Sequence, residues 1–204
     1  MKKLAVFIFP GIQTLDLFGP IELLGGFREK IALTLVAEAM DAVPTRHGQR
    51  IVPDATIHDS AKYDMLLIPG GDSALDVPKS QAALAWLQST RLSAEYVLTV
   101  CTGSVLLAMT GVLDGKRATT NKQDFNDTIH YGPHVNWVNK ARWVEDGKFF
   151  TSSGVSAGMD MSLAVAEKLF GTEAAEWMAE GSEYEWHRDA AWDPFAEKAG
   201  LLAS

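Results

Sequence analysis

The chain is poor in cysteine: Cys101 is the only one among 204 residues. An internal disulfide framework is thereby excluded, and a lone thiol fits a reducing compartment. Long apolar runs are missing too. None approaches the roughly 20 residues of a membrane span, so no membrane association is expected and cytoplasmic residence is. "MKKLAVFIFPG" begins with lysines ahead of an apolar stretch, but the stretch stops at Pro10 and no small-residue cleavage site follows. A first strand is expected there rather than a secretory signal. Basic residues are outnumbered, 18 against 26 acidic, for a net charge of −8. No basic stripe exists, the densest cationic stretch being "GKRATTNK", so no nucleic-acid partner is expected. Histidines number five; His130 and His134 are four apart, but Gly132-Pro133 breaks the helix that would align them as ligands. With no Cys/His cluster and no phosphate-binding glycine fingerprint, neither a metal nor a cofactor is expected.

What is there reads as an ordinary globular composition, 47% hydrophobic and 22% charged, in a length that suits one domain over residues 1–204. "LAVFIF" (4–9), "IALTLVAE" (31–38), "MLLIP" (65–69) and "YVLTV" (96–100) are near-continuous apolar runs, the pattern of strands buried on both faces. Helical spacing fills "LDLFGPIELLGGF" (15–27) and "SQAALAWLQSTRL" (80–92). This alternation predicts an α/β fold, a three-layer αβα sandwich around a mostly parallel sheet. Hairpins are expected at Gly48 and at Asp146-Gly147, which lies between alternating apolar runs. A helix capped by Ser156 and stopped at Gly171 should follow, then another over "TEAAEWMAEGSEYEW" (172–186), opened by Thr172. The tryptophans at 137, 143, 177, 186 and 192 are expected to pack core or an interface.

Cys101 falls directly after the run at 96–100, and Thr102, Gly103 and Ser104 supply the small residues that a sharp strand-to-helix turn requires. A sulfur above a helix N-terminus meets unpaired N–H groups and the positive end of the dipole, so its pKa is expected to fall. The alternative is a buried cysteine acting as a small hydrophobe; the strand–Cys–Gly–helix setting favours a reactive thiol. Gly70 and Gly71, in "IPGGD", would let backbone approach a ligand at a neighbouring strand end. Asp16 opens the first helix, where an acid also favours the dipole. Asp160, four residues into a later helix, could line a pocket or simply favour that helix's N-terminus.

"VCTGSVLLAMTGVLDGKRATT", "IPGGD", "TLDLFGP" and "SSGVSAGMDMSLAVAE" together resemble the ThiJ/PfpI superfamily, which has the class I glutamine amidotransferase-like fold. Within it the segments are most similar to isonitrile hydratases and to the amidase-like domains of some AraC-type regulators. The resemblance extends to about residue 171 and leaves the tail after Ser182 uncovered. It implies a nucleophilic Cys101, an Asp16 carboxyl facing the sulfur, and an oxyanion-binding pair formed by the N–H groups of Gly71 and Thr102. A carboxyl and a thiol in contact should share a proton. Proteases and amidotransferase-like members commonly place a histidine after the Thr-Thr pair, and isonitrile hydratases often do too; this chain departs from both with Asn121. An amide is no base, so peptidase or glutaminase chemistry is not expected.

The implied activity is the addition of water to a small-molecule isonitrile, giving an N-substituted formamide. Cys101 would be the nucleophile and Asp16 the acid and base, a reaction with no amine leaving group for a histidine to protonate. Two alternatives are a glyoxalase- or deglycase-like action on 2-oxoaldehydes and a non-enzymatic sensor of oxidants or small molecules. Direct transcriptional control is not expected, since no helix-turn-helix segment is visible. The resemblance also implies a homodimer.

Overall fold

Residues 1–202 are described by a computed structural model. Seven strands form the main sheet: β1 (Lys2–Phe7), β2 (Ile31–Ala37), β3 (Ala55–Thr56), β4 (Met65–Ile68), β5 (Tyr96–Val100), β6 (Trp143–Asp146) and β7 (Phe149–Ser152). Their spatial order is β6-β7-β5-β4-β1-β2-β3. All neighbours run parallel except β6 and β7, an antiparallel hairpin. The hairpin turns at Asp146-Gly147 with Gly147 at φ 62°, as its flanking alternation predicts. The central β4 is buried along its whole length, the reason its sequence does not alternate. The turn at Gly48 joins a second small hairpin, Val43–Pro44 with Arg50–Ile51.

Beside a one-turn helix at Phe125–Thr128, the helices used below are α1 (Thr14–Gly25), α2 (Gln81–Ser93), α3 (Gly103–Ala108), α4 (Ala157–Phe170), α5 (Thr172–Gly181) and α6 (Pro194–Lys198). The steps β1–α1–β2 and β4–α2–β5 travel in opposite directions along the sheet. Right-handed crossovers therefore place α1 and α2 on opposite faces, giving the three layers expected. The chain reverses its direction of travel at β1, so the carboxyl ends of β1, β4 and β5 meet at the switch point where α/β sheets bind ligands.

Helix ends follow the sequence with two exceptions, one of which is that the helix opened by Thr172 stops at Gly181 instead of running through Trp186. Ser80 caps α2, its hydroxyl accepting from the Ala83 N–H at 3.2 Å. Ser156 holds the N-cap position of α4 but makes no capping bond; its hydroxyl instead accepts from Arg142 Nη2 at 3.1 Å. Among the described residues no helix is long and apolar enough to cross a membrane.

After α5 the chain runs back over the carboxyl edge of the sheet. Buried groups hold it there. Arg142 Nε donates to Asp160 Oδ2 at 2.7 Å, while Tyr184 Oη and the His187 N–H donate to Oδ1 at 2.9 and 3.0 Å. The Trp186 indole donates to the Asp160 carbonyl, and the Arg142 N–H donates to the Ala190 carbonyl at 2.7 Å. Asp193 then caps α6 through the Phe195 N–H at 3.0 Å. Its Oδ2 stands 3.5 Å from the buried Lys122 Nζ, an ion pair without hydrogen-bond geometry.

Candidate active site at the carboxyl edge of the sheet

Four loops converge on one sulfur, from the ends of β1, β4, β5 and β7. Cys101 ends β5 and turns the chain into α3 with φ 55°, the left-handed backbone of a nucleophile elbow. The turn is held through its carbonyl, which accepts from the Ser104 hydroxyl at 2.9 Å and the Thr120 hydroxyl at 3.0 Å. The Cys101 N–H donates to the Ser153 carbonyl at 3.2 Å. Gly103 is required for clearance: a Cβ there would lie 2.2 Å from the Ile68 carbonyl oxygen. The second residue of the Thr-Thr pair thus serves the architecture of the elbow.

Asp16, in the first turn of α1, is completely buried. Its Oδ2 accepts one hydrogen bond, from the Gly70 N–H at 3.0 Å, and its Oδ1 has no conventional partner among the described residues. A Cβ on Gly70 would come 2.9 Å from Oδ2 and 2.7 Å from the Thr102 nitrogen, so only glycine lets this loop fit between aspartate and elbow. Burial raises the Asp16 pKa to about 7, against the opposing pull of the Gly70 N–H and the adjacent Cys101 thiol. An orphaned carboxylate oxygen in a dry site is one that a proton would satisfy.

The thiol departs from its expectation. Cys101 is 6% exposed, and burial, reinforced by the charge of Asp16, drives its pKa up rather than down. Two backbone donors oppose this, the N–H groups of Thr102 and Val155. They lose because α3 has only six residues, a short stretch of dipole set against full desolvation. The free protein therefore holds a neutral S–H beside a carboxyl poised to exchange its proton near neutrality.

The pair of donors implied by the resemblance is also rearranged. The Thr102 N–H faces the sulfur, but the Gly71 N–H is occupied, donating to Thr102 Oγ1 at 3.0 Å. The second donor at the sulfur is Val155, which follows β7. Its φ of 48° is a true outlier for a β-branched residue, a strain that surrounding structure must impose. Nothing in the spacing of "SSGVSAG" pointed to Val155.

Asn121 lies beside the site, packed against Gly154. Its Oδ1 accepts from the Gln123 N–H at 2.8 Å and its Nδ2 donates to Asp124 Oδ2 at 2.7 Å. Asp124 is near enough to help raise the thiol's pKa. Asp160 is not a pocket residue: both its oxygens are consumed by Arg142, Tyr184 and the His187 N–H. Among the described residues no cluster of ligating side chains could hold a metal.

A cavity of about 450 Å³ opens on the loop after β7, and Val155, whose N–H faces the thiol, is part of its lining. Asn121, Gly154 and Val155 form one wall, and Phe195 and Lys198, from α6 in the tail, form another. The sequence signal for this wall was "DP" at 193–194, an N-cap followed by proline at the first helical position.

Known proteins share this arrangement of chain. The isonitrile hydratase of Pseudomonas putida is 33% identical over 184 residues, spanning 89% of this chain and 78% of that one. The HTH-type transcriptional regulator CdhR of Pseudomonas aeruginosa is 27% identical over 134 residues, 66% of this chain but 39% of the regulator. The crystal structure of a THiJ/PfpI family protein from Pseudomonas syringae superposes with a TM-score of 0.84 at 28% identity, covering 98% of this chain and 85% of the other. A model of the DJ-1/PfpI family matches residues 2–168, a span that includes every residue at the sulfur and ends before the tail. The chain belongs to the DJ-1/PfpI family.

Proposed function

We propose that this protein is an isonitrile hydratase-like enzyme, adding water to R–NC to give R–NH–CHO. The observation that carries the reading is a completely buried Asp16 with one N–H donor and one unpartnered oxygen, set beside a buried thiol. Its pKa of about 7 suits a group that must take and return a proton at neutral pH. The 33% identity to an isonitrile hydratase over most of both chains supports the same reading.

Every step can be run by these two side chains. Ionised Asp16 accepts the Cys101 proton as sulfur attacks the terminal carbon of the isonitrile, and then delivers that proton to the same carbon. The carbon has inserted into the S–H bond, leaving a thioimidate, R–N=CH–S–Cys101. Water then adds across C=N, its oxygen to carbon and its proton to nitrogen by way of Asp16. The tetrahedral adduct R–NH–CH(OH)–S–Cys101 collapses: the C–S bond breaks, the hydroxyl proton returns to sulfur through Asp16, and the formamide leaves. One water is consumed and no net charge accumulates. The N–H groups of Thr102 and Val155 support sulfur while its proton is away.

A neutral resting thiol suits this scheme better than oxidant sensing, because peroxide reacts with thiolate. Asn121 in place of a histidine supports hydration over chemistry that must protonate a leaving group. The test offers a simple alkyl isonitrile and methylglyoxal to the protein side by side and follows formamide and lactate by proton NMR. Formamide from the wild type and none from Cys101→Ala is expected; lactate without formamide would overturn the proposal.

A further inference from the structure

The cavity lined by Val155 and the tail has a charge unlike that of the chain around it. In a protein of net charge −8, its lining contains two lysines, Lys122 and Lys198, and no carboxylate. The two lysines differ. Lys122 is buried, its ammonium donating to Thr119 Oγ1 and the Thr120 carbonyl and paired with Asp193, so its charge is already answered. Lys198 forms no ion pair among the described residues; its ammonium rests 5.2 Å from the centre of the Phe195 ring. Phe195 is 47% exposed although it lines the cavity, a large apolar side chain left half bare. The same lining includes Val155, whose N–H reaches the Cys101 sulfur, and Ser153, whose carbonyl accepts the Cys101 N–H. The cavity's lining stops short of Cys101 and adjoins it through Val155 and Ser153, so a molecule with its reacting carbon at the sulfur and its body in this cavity would pass Val155 and meet Phe195 and Lys198.

We infer that Phe195 and Lys198 determine specificity, selecting isonitriles that carry an apolar body ending in a carboxylate. The apolar body would cover the Phe195 ring, and the carboxylate would meet the Lys198 ammonium, which has no carboxylate partner among the described residues. The selecting surface is built by the tail, beyond the matched residues 2–168. Its placement depends on the buried clamp of Asp160, Arg142, Lys122 and Asp193. Family members with other tails would then share the sulfur chemistry and differ in the body they accept. The inference rests on the hydratase reading for the reacting group and on the cavity alone for the acid.

Two measurements separate these dependencies. The first compares kcat/KM for 4-(isocyanomethyl)benzoate and its primary amide, for wild type, Lys198→Ala and Lys198→Glu. Lys198 is exposed, so neither variant should fail to fold. A wild-type preference for the acid of about fivefold or more at low salt is expected, lost in Lys198→Ala and inverted in Lys198→Glu. The second measures, by calorimetry, binding of the corresponding formamides, 4-(formamidomethyl)benzoate and its amide, which needs no turnover. Equal turnover of acid and amide, or a preference for the acid that survives Lys198→Glu, overturns the inference and leaves the hydratase reading intact. No turnover of either isonitrile, with binding of the benzoate that depends on Lys198, overturns the hydratase reading and keeps the acid-selecting wall. Absence of both turnover and Lys198-dependent binding overturns both.

Discussion

Two aspartates of this protein are equally buried and differently provided for. Asp16 and Asp160 are both inaccessible to solvent, each in the first turn of a helix. Asp160 has a guanidinium, a phenol and a backbone N–H on its side chain; Asp16 has one backbone N–H and an empty oxygen. Position in a helix and depth below the surface are the same, so neither assigns a role. The unanswered hydrogen-bonding capacity separates them: a fully paired carboxylate is a rivet, and the unpaired one next to a thiol is the group that the proposed scheme uses as its proton carrier.

Breaking the pair at the sulfur should have the largest effect on activity. Cys101→Ala is expected to lower turnover of an isonitrile by more than about 10³-fold, and Asp16→Asn by about 10² to 10⁴-fold, in steady-state assays. Both variants should keep a native far-UV spectrum. Asp160→Asn should act on stability instead. Stranding Arg142 in the interior costs about 3 to 5 kcal/mol, read as a lower urea midpoint, and the loss of the tail's anchor should expose the cavity to protease.

The contrast sharpens with pH. A carboxyl whose pKa is raised to about 7 by folding binds more protons in the native than in the unfolded state. Its contribution is full in acid and is lost as pH rises from the ordinary carboxylate range through 7. Above that pH the charged Asp16 costs about 2 to 4 kcal/mol. Asp16→Asn should therefore be more stable than the wild type at pH 8, by about 2 kcal/mol, while nearly inactive; a less stable variant would contradict this. Wild-type kcat/KM should rise with pH through about 7 and then stay level, since the base must be ionised to take the thiol proton. The smallest change is expected at Asn121. Its amide carries no proton in the scheme, so Asn121→Ala should lower kcat by less than about tenfold, by disturbing Gly154 and the loop to Asp124.

The sheet was legible because strands buried on both faces write themselves as apolar runs, and the elbow because Cys101 must be followed by small residues. The partnership of Asp16 with Cys101 came from the family resemblance rather than from spacing, since 84 residues lie between them and only topology joins them. Three features were illegible for identifiable reasons. The direction of the thiol's pKa depends on how completely α3 and its neighbours exclude water, which no local pattern encodes. The Gly71 donor is lost to a side-chain rotamer of Thr102. Asp160 and Asp16 look alike in sequence because the partners that distinguish them arrive from Arg142 and from the tail, far along the chain.

Direct titration of the Asp16 carboxyl tests the central claim. The protein would be labelled with carbon-13 at aspartate Cγ and followed by NMR from pH 4 to 9, with the Asp16 signal assigned by its absence in Asp16→Asn. A midpoint near 7, with Cys101 still slow to react with iodoacetamide at pH 8, is the expected result. An Asp16 signal already that of a carboxylate at pH 4, or a thiol alkylated rapidly at pH 6, would contradict it.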